Sequence, residues 1–390
     1  MTDELLRWRA EFPTLEKTTH MISHSLGAMP RRVRERLTQF ADEWTDRSIR
    51  AWSEGWWDMP VTVGNVIAGI IDAPAGSVVM HQNVSVCQQV ILSALDWSGP
   101  RNGLLTESLN FPSNHYIFHH WPRYGARLIE APASEDGKRV PLEALLAAID
   151  ETVLLVSVSH VTFRSSYLQD LKAIVEKAHR VGAMVLADTY QSCGVVPFSV
   201  RDLGIDFVTG GSVKWLCGGP GAAYLYARPD LLPRLEPAAT GWMAHERPFE
   251  FVPGAIEYAG DVTRLLNGTP AIPALYAALS GYEIIREIGV ERIREKSLRQ
   301  TQRLVELGRE MGLVFNGIEN PAERGGVVIF DVPDGREVTA ELLRRDVLVD
   351  YRLGAGIRIA PHFYTTEEEL EYTMDQMRSI SSTRRSTVAH

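Results

Sequence analysis

The sequence is poor in cysteine and lacks both a long apolar run and a cluster of basic residues. Its three cysteines, Cys87, Cys193 and Cys217, give no disulfide framework and no CxxC spacing, so we predict buried thiols and no metal site. No apolar stretch reaches the roughly 18 residues of a membrane span. The net charge of −9, from 40 Lys+Arg against 49 Asp+Glu, argues against nucleic acids and membranes as partners.

What remains is the composition of a globular protein. Of the 390 residues, 45% are apolar and 23% are charged, which excludes a chain that is disordered throughout. The length suggests two to three domains, or one large domain with an appendage. The N-terminal sequence MTDELLRWRAEFP is charged and lacks the apolar region of a signal peptide, so we expect a cytoplasmic protein.

The middle of the chain alternates buried strands with amphipathic helix. Residues 153–160 (VLLVSVSH) and 183–188 (AMVLAD) are typical of buried strands, and the helix predicted between them over 169–181 should end at Gly182. Further short strands are predicted over 206–209 and 222–227. This order predicts an α/β fold with a mainly parallel sheet sandwiched by helices, whose functional groups lie at the carboxyl ends of the strands.

A different pattern begins after about residue 270. Residues 274–312 are mostly helical and rich in Arg and Glu, and short strands and helices alternate from there to a last helix that begins at Thr366. This pattern predicts a smaller α+β domain. We therefore expect a large domain of residues 25–270 and a small domain formed by residues 1–24 plus 271–390.

Two residues in the predicted large domain suggest a specific chemistry. Asp188 ends a predicted strand, and Lys214 follows another strand and precedes a glycine-rich turn, residues 217–221. Pyridoxal 5′-phosphate (PLP) chemistry needs such a pair, because a lysine amine forms a Schiff base with the cofactor aldehyde and a carboxylate keeps the pyridine nitrogen protonated. Either residue alone is more often a helix cap or a solvated side chain.

The surrounding motifs make a family resemblance specific. Residues 188–226 resemble the core of fold-type-I PLP enzymes of the class V aminotransferase group, and kynureninases in particular. The resemblance runs nearly end to end through short motifs in the same order: SHSLGAMP (23–30), IRAWSEGWW (49–57), NFPSN (110–114), SHV (159–161), GW (241–242), NGTP (267–270) and DYR (350–352).

The resemblance implies contacts around the cofactor ring. Phe111 would stack on the pyridine ring, Asp188 would pair with its nitrogen, and Ser159 would lie near it. Gln191 stands where kynureninases usually carry His, near the phenolic oxygen; its amide donates hydrogen bonds but does not titrate. Asn114 replaces the acid that ends the family's FPTD turn beside the cofactor.

The resemblance also implies phosphate contacts and a homodimer. Ser85, expected to open a helix, would bind the phosphate through its hydroxyl and N–H, and Val84 would contribute backbone only. Trp242 and Thr269 would reach the phosphate in the neighbouring subunit, so the active sites would be shared between two subunits. The alternatives are that Ser85 is a plain N-cap and Trp242 a core aromatic residue.

For an amino-acid substrate, the resemblance implies that Arg358 binds the α-carboxylate in a bidentate pair. His24 and Ser25, where the family has an Asn-Ser pair, are candidates to face the substrate. Arg358 has a structural alternative as a surface ion pair. Trp52, Trp56 and Trp57 would either line an aromatic pocket or pack between helices, and the sequence leaves both open.

Departures from the family leave the reaction open. Val213 replaces the Tyr that precedes the lysine in kynureninases, and Val213, Asn114 and Gln191 all lack proton-transfer capacity. The leading hypothesis is kynureninase-like cleavage of an amino-acid side chain at Cβ, by hydrolysis or elimination, with Lys214 as Schiff-base residue and base. Class V transamination is the close alternative, epimerisation a third, and a non-catalytic relative a remote fourth.

Overall fold

The fold is described from a computed structural model of the chain, in which residues 3–388 are placed well enough to describe. The ends of the predicted small domain, residues 1–2 and 389–390, lie outside the described residues. Between residues 3 and 388, no helix combines the length and the apolar character needed to cross a membrane.

The described chain contains thirteen strands and eleven α-helices, joined by loops, short 3₁₀ segments and one π-helical turn at Trp52–Trp56. The strands are β1 (Thr19–His20), β2 (Val78–His81), β3 (Gly103–Glu107), β4 (Arg127–Ala131), β5 (Val153–Ser159), β6 (Met184–Asp188), β7 (Phe207–Gly211), β8 (Ala223–Ala227), β9 (Val314–Phe315), β10 (Val328–Asp331), β11 (Val347–Leu348), β12 (Asp350–Arg352) and β13 (Gly356–Ile359). The helices are α1 (Arg32–Arg47), α2 (Met59–Ile70), α3 (Val84–Ser93), α4 (Pro112–Phe118), α5 (Leu142–Ala147), α6 (Leu171–Val181), α7 (Val200–Leu203), α8 (Ile272–Ile288), α9 (Val290–Glu310), α10 (Gly335–Arg344) and α11 (Glu367–Val388).

A seven-stranded sheet with the order β2-β8-β7-β6-β5-β3-β4 forms the centre of the molecule. Strand β8 runs antiparallel to both neighbours, and the pairs from β7 through β4 are parallel. Residues of β3, β5, β6 and β7 are buried almost throughout, as strands covered on both faces by helices must be. The predicted α/β class with a mainly parallel sheet is confirmed.

The β5–α6–β6 unit shows how the sequence produces this architecture. Helix α6 buries Leu171, Ile174, Val175 and Ala178 on one face, as its periodicity predicts. The side chain of Asp170 caps its start, and Gly182 ends it in the left-handed conformation, with φ 78°. The crossover returns the chain so that β6 lies parallel to β5 and the strands end together.

The C-terminal part forms a second, smaller sheet. Strands β12-β13-β10-β9 are antiparallel and pack with α9, α10 and α11 around an apolar cluster separate from the main core. The helical region predicted over 274–312 is two helices, because Gly289, with φ 86°, separates α8 from α9. The N-terminal strand β1 pairs with β11, which ties the two chain ends together. The domain boundary near residue 270 stays a prediction.

Candidate active site

A cavity of about 240 Å³ opens at the carboxyl ends of β5 and β6. It lies where open parallel sheets place their ligand sites. The residues that line it come from five segments of the chain: Asn83, Val84, Ser85, Phe111, Ser113, Asn114, Ser159, Val161, Phe163, Asp188, Tyr190, Gln191 and Lys214. The predicted cofactor residues of the large domain, apart from Trp242 and Thr269, therefore meet in one place.

Lys214 sits in a tight loop after β7. The loop is fixed by the Gly27 N–H, which donates to the Val213 carbonyl at 2.8 Å, and by the Cys217 N–H, which donates to the Lys214 carbonyl at 3.0 Å. A Cβ at position 27 would lie 2.2 Å from the Lys214 carbonyl oxygen, so only glycine permits this approach. Segment 23–30, part of the resemblance, thus supports the lysine backbone.

The Lys214 amine lies between aromatic rings inside the cavity. Its Nζ is 4.3 Å from the ring centre of Tyr190 and 5.6 Å from that of Phe111. Burial lowers the pKa of Lys214 to about 8, with Arg358 adding to this effect and Asp188 opposing it. The amine is therefore neutral, and nucleophilic, at a much lower pH than that of an exposed lysine.

Asp188 ends β6 as a buried carboxylate with two fixed hydrogen bonds. Its Oδ1 accepts from the Tyr190 N–H at 2.9 Å, and its Oδ2 accepts from the Asn114 amide at 2.8 Å. Burial raises the pKa of Asp188, whereas these two donors and the nearby Lys214 lower it. Asn114 thus acts as a donor to Asp188 in the position where the family's acid would bring a second carboxylate.

Behind Asp188 lies a buried polar network on the ends of β3 and β5. Ser159, the register partner of Asp188, donates its hydroxyl to the Asn110 amide oxygen at 3.1 Å and its N–H to the Glu107 carboxylate at 2.9 Å. Burial raises the pKa of Glu107 to about 8. The network fixes Ser159 at the cavity wall, and its position near the cofactor ring stays a prediction.

The N-terminus of α3 closes another side of the cavity. Asn83 is its cap and accepts from the Val86 N–H at 3.0 Å. The alternative that Ser85 is a plain N-cap is therefore wrong, because the Asn83 side chain takes the capping bond. The predicted helix is present and begins at Val84, one residue earlier than expected. Ser85 and Val84 nevertheless line the cavity at the positive end of a ten-residue helix, where anions are stabilised.

The Gln191 amide is held at both ends. Its Oε1 accepts from the Trp215 indole N–H at 3.2 Å, and its Nε2 donates to the His24 carbonyl at 3.1 Å. An amide nitrogen carries two hydrogens, so one remains for a group inside the cavity. Gln191 lines the cavity, and its hydrogen bond to the cofactor's phenolic oxygen stays a prediction.

Arg358 lies at the edge of the site in a buried pair with Asp350. Its Nε and Nη2 donate to the two carboxylate oxygens at 2.8 and 2.6 Å, and its Nη1 donates to the Phe163 carbonyl at 2.6 Å. Three of the five guanidinium N–H groups are thus used within the chain, and two remain for a ligand. The predicted alternative of a surface pair is wrong, because only 2% of the Arg358 side chain is exposed.

His24 completes this cluster. Its Nε2 lies 3.1 Å from Asp350 Oδ1, and its buried Nδ1 has no hydrogen-bond partner among the residues that the structure describes. Burial lowers the pKa of His24 to about 4, with Arg358 adding to this effect and Asp350 opposing it. Neutral His24 therefore donates from Nε2, which leaves Nδ1 as an unpaired acceptor. Burial disfavours ionisation of Asp350, but hydrogen bonds from His24 and Arg358 outweigh it and hold the pKa of Asp350 well below its usual range.

Some predicted site residues lie outside the cavity of the same chain. Trp242 packs against Trp57, with ring centres 5.1 Å apart, and Thr269 is exposed in a nearby loop. Ser25 lies in the turn after His24, partly exposed. Trp52 and Trp56 belong to the packed side of the main core, which favours the packing interpretation over a pocket role. The three cysteines are buried, as predicted: Cys87, Cys193 and Cys217.

The model of the aminotransferase class-V family matches residues 30–372. The chain belongs to this family. A curated kynureninase from Pseudomonas fluorescens is 31% identical over 94% of the chain and 90% of its own length. An uncharacterized aminotransferase, YcbU, from Bacillus subtilis is 31% identical over 95% of the chain and 96% of its own length.

A closely similar fold is seen in a solved cysteine desulfurase from Thermococcus onnurineus NA1, with a TM-score of 0.87 and 20% identity. The match covers 98% of this chain and 99% of that one. The PLP-dependent fold type I is thus confirmed. Family membership makes this class V chain a PLP-dependent enzyme, and the cavity fits the cofactor: a lysine of lowered pKa, a buried carboxylate and a helix N-terminus face one space.

Several residues of the site were not predicted from the sequence. Tyr190 follows Asp188 by two positions and places its ring beside the Lys214 amine. Phe163 contacts Phe111 edge to face at 5.3 Å and accepts from Arg358. Asp350 lies in the DYR motif, which the resemblance included without a role. The position of Tyr190, two residues after Asp188 in the motif, was a signal that could have identified it, whereas no local pattern identifies Phe163.

Proposed function

We propose that this class V enzyme cleaves the side chain of an α-amino acid at Cβ, in the manner of kynureninases. The observation that carries the proposal is the position of Lys214, whose buried amine of lowered pKa faces Asp188 across the cavity. The similarity to the Pseudomonas fluorescens kynureninase along nearly the whole chain supports the same reaction class.

Each side chain at the cavity then has a role toward PLP. When bound, PLP supplies an electron sink for negative charge at the substrate Cα. Lys214 would hold the cofactor covalently and move the Cα proton, while Asp188 would keep the pyridine nitrogen protonated. Phe111 would stack on the ring. The N-terminus of α3, with Ser85, would bind the phosphate.

Two further residues would act on the phenolic oxygen and on the substrate. Gln191 has one amide hydrogen left for the oxygen, since the other is donated to the His24 carbonyl. Arg358 has two N–H groups left for the substrate carboxylate. These roles use donors that the chain itself leaves unoccupied.

Transamination is the second candidate, supported by the match to the aminotransferase YcbU and by the absence of a titratable side chain at Val213, Asn114 and Gln191. The test supplies kynurenine and 3-hydroxykynurenine, then a panel of amino acids, to the holoenzyme. Anthranilate-type fluorescence with alanine release supports side-chain cleavage. A keto acid formed in step with the amino form of the cofactor would instead establish transamination.

Arg358→Lys separates substrate binding from folding. Lysine keeps the positive charge beside Asp350 but lacks the planar fork, so we expect KM to rise about tenfold with little loss of stability. Arg358→Ala leaves Asp350 without its main partner and should also lower the free energy of unfolding by about 3 kcal/mol. Steady-state kinetics and urea unfolding measure both effects. An unchanged KM in Arg358→Lys would contradict the substrate role.

The pKa of Lys214 predicts how cofactor capture depends on pH. Only the neutral amine attacks the aldehyde, and burial lowers the pKa of Lys214 to about 8. The rate at which cofactor-free protein captures PLP should therefore rise about tenfold per unit below pH 8 and level off above it. Stopped-flow absorbance checks this profile. A rate that still rises about tenfold per unit at pH ~9 would match an ordinary lysine instead.

We also propose a homodimer in the cytoplasm, with Trp242 and Thr269 reaching the partner's phosphate site. The loop beside Trp242 exposes Phe249, Phe251 and Val252 by 61%, 71% and 54%, an unusual apolar surface for a monomer. Phe251→Asp should therefore shift the sedimentation coefficient from dimer toward monomer. A dimer of unchanged affinity, or a wild-type monomer, would contradict the proposal.

A further inference from the structure

Helix α4 carries two histidines next to a glutamate on the edge of the main sheet. His115 lies within α4 and His119 directly follows it, at the i, i+4 spacing that places two side chains on one helix face. Glu130 projects from β4, the last strand of the sheet. Of the residues that the structure describes, these form the one group of three in which the ligand atoms all lie within 4.8 Å of one another.

The distances suit a tetrahedral metal ion. His119 Nε2 lies 2.9 Å and His115 Nδ1 lies 3.5 Å from Glu130 Oε1. Ligands about 2.0–2.1 Å from a tetrahedral Zn²⁺ are about 3.3 Å apart, so small side-chain rotations bring all three atoms onto one sphere. His119 Nε2 and Glu130 Oε1 now lie in direct contact, in the position that the ion would take.

The donor set selects the kind of cation. Two imidazole nitrogens and one carboxylate favour a borderline transition metal, whereas Mg²⁺ and Ca²⁺ need more oxygen ligands. Three protein ligands on a partly exposed surface leave the fourth position to water. The side chains of His115, Glu130 and His119 are 18%, 35% and 59% exposed, so the ion can enter without unfolding the helix.

We propose that His115, His119 and Glu130 form a Zn²⁺ site that joins the C-terminal end of α4 to β4. No metal site was predicted from the cysteine spacing; the two histidines and the glutamate meet only through the fold. Phe111 and Asn114, at the other end of α4, line the active-site cavity. The metal would therefore hold in place the helix that presents these two residues. This proposal does not depend on the reaction that the enzyme catalyses.

The test titrates the PLP-bound holoenzyme with Zn²⁺ by isothermal calorimetry and by thermal unfolding. We expect one Zn²⁺ per chain and a Tm that rises with Zn²⁺ but not with Mg²⁺. His119→Ala and Glu130→Gln should each weaken binding at least about 100-fold and abolish the rise, since even indirect partners of a metal cost 10–100-fold. Glu130→Gln is isosteric, so the variant keeps the shape of the folded chain.

The matched control is His120→Ala. His120 is the adjacent exposed histidine, and its ring bonds back to the Tyr116 carbonyl at 3.1 Å, away from the cluster. This variant should bind Zn²⁺ like the wild type. No binding by the wild type, equal binding by all four proteins, or an equal rise of Tm with Mg²⁺ would overturn the proposal. Zinc bound to the cofactor phosphate instead of this site would give equal binding by all four proteins.

Discussion

Lys214→Ala is expected to lower turnover at least about 1000-fold and to abolish covalent attachment of the cofactor, because one substitution removes both the amine that holds PLP and the base for the Cα proton. Burial already disfavours the charged amine and lowers its pKa to about 8. Alanine relieves that cost, so the variant should fold with a Tm at or above that of the wild type. Activity, the visible cofactor band and Tm are measured together.

The control for this prediction is Lys172→Ala. Lys172 is an exposed lysine on α6 that does not line the cavity, so its loss should change neither turnover nor the cofactor band. If Lys214→Ala kept a covalent cofactor or more than about one tenth of wild-type turnover, another residue would be the attachment site. A loss of activity accompanied by a lower Tm would point to misfolding. Lys214→Arg, whose side chain has a similar length, then tests whether the chemistry is lost while the fold is kept.

Asp188→Asn is expected to lower kcat about 100- to 1000-fold, the cost of removing a preorganised electrostatic partner from a buried site. Asparagine has the same shape and still accepts from the Tyr190 N–H, but it carries no charge to hold a protonated nitrogen. Its amide also faces the amide of Asn114, which now donates to Asp188 Oδ2 at 2.8 Å. Steady-state kinetics with the best substrate, together with the cofactor spectrum, measure the effect.

Asp206→Asn is the control, because it removes a different buried carboxylate that lies away from the cavity. Asp206 lies at the amino ends of the strands, accepts from the Val185 N–H at 2.8 Å and pairs with Arg228 at 3.0 Å. Its substitution should lower Tm while leaving kcat within about twofold of the wild type. Equal losses of kcat in the two variants would mean that Asp188 acts through folding alone, and the assigned role would be wrong.

The central unit of the fold was predictable because its signals are local. Strand β5, helix α6 and strand β6 follow from β-branched runs, one apolar helix face and the Gly182 stop. Strands β2, β3 and β4 were not predicted. Strands β2 and β3 are short buried runs, which have no periodicity to distinguish them from helix. Strand β4, at the edge of the sheet, is exposed or half-buried apart from Ala131, and its sequence RLIEA does not alternate apolar and polar residues.

Within the site, positions could be predicted but partners could not. Asp188 and Lys214 lie 26 positions apart in a recognisable order, and we expected both at one cofactor site. The hydrogen bonds from Asn114 to Asp188 and from His24 to Asp350 join residues 74 and 326 positions apart. Such contacts depend on how the sheets and the N-terminal segment pack, which no local pattern encodes.

The most direct test of the account is to find where the cofactor is attached. Borohydride reduction of the purified holoenzyme fixes PLP to its lysine, and peptide mass mapping then identifies that residue. The account predicts a single phosphopyridoxyl group on Lys214, within the peptide that contains Val213 and Trp215. A modified lysine elsewhere, or a protein that carries no reducible cofactor, would contradict it.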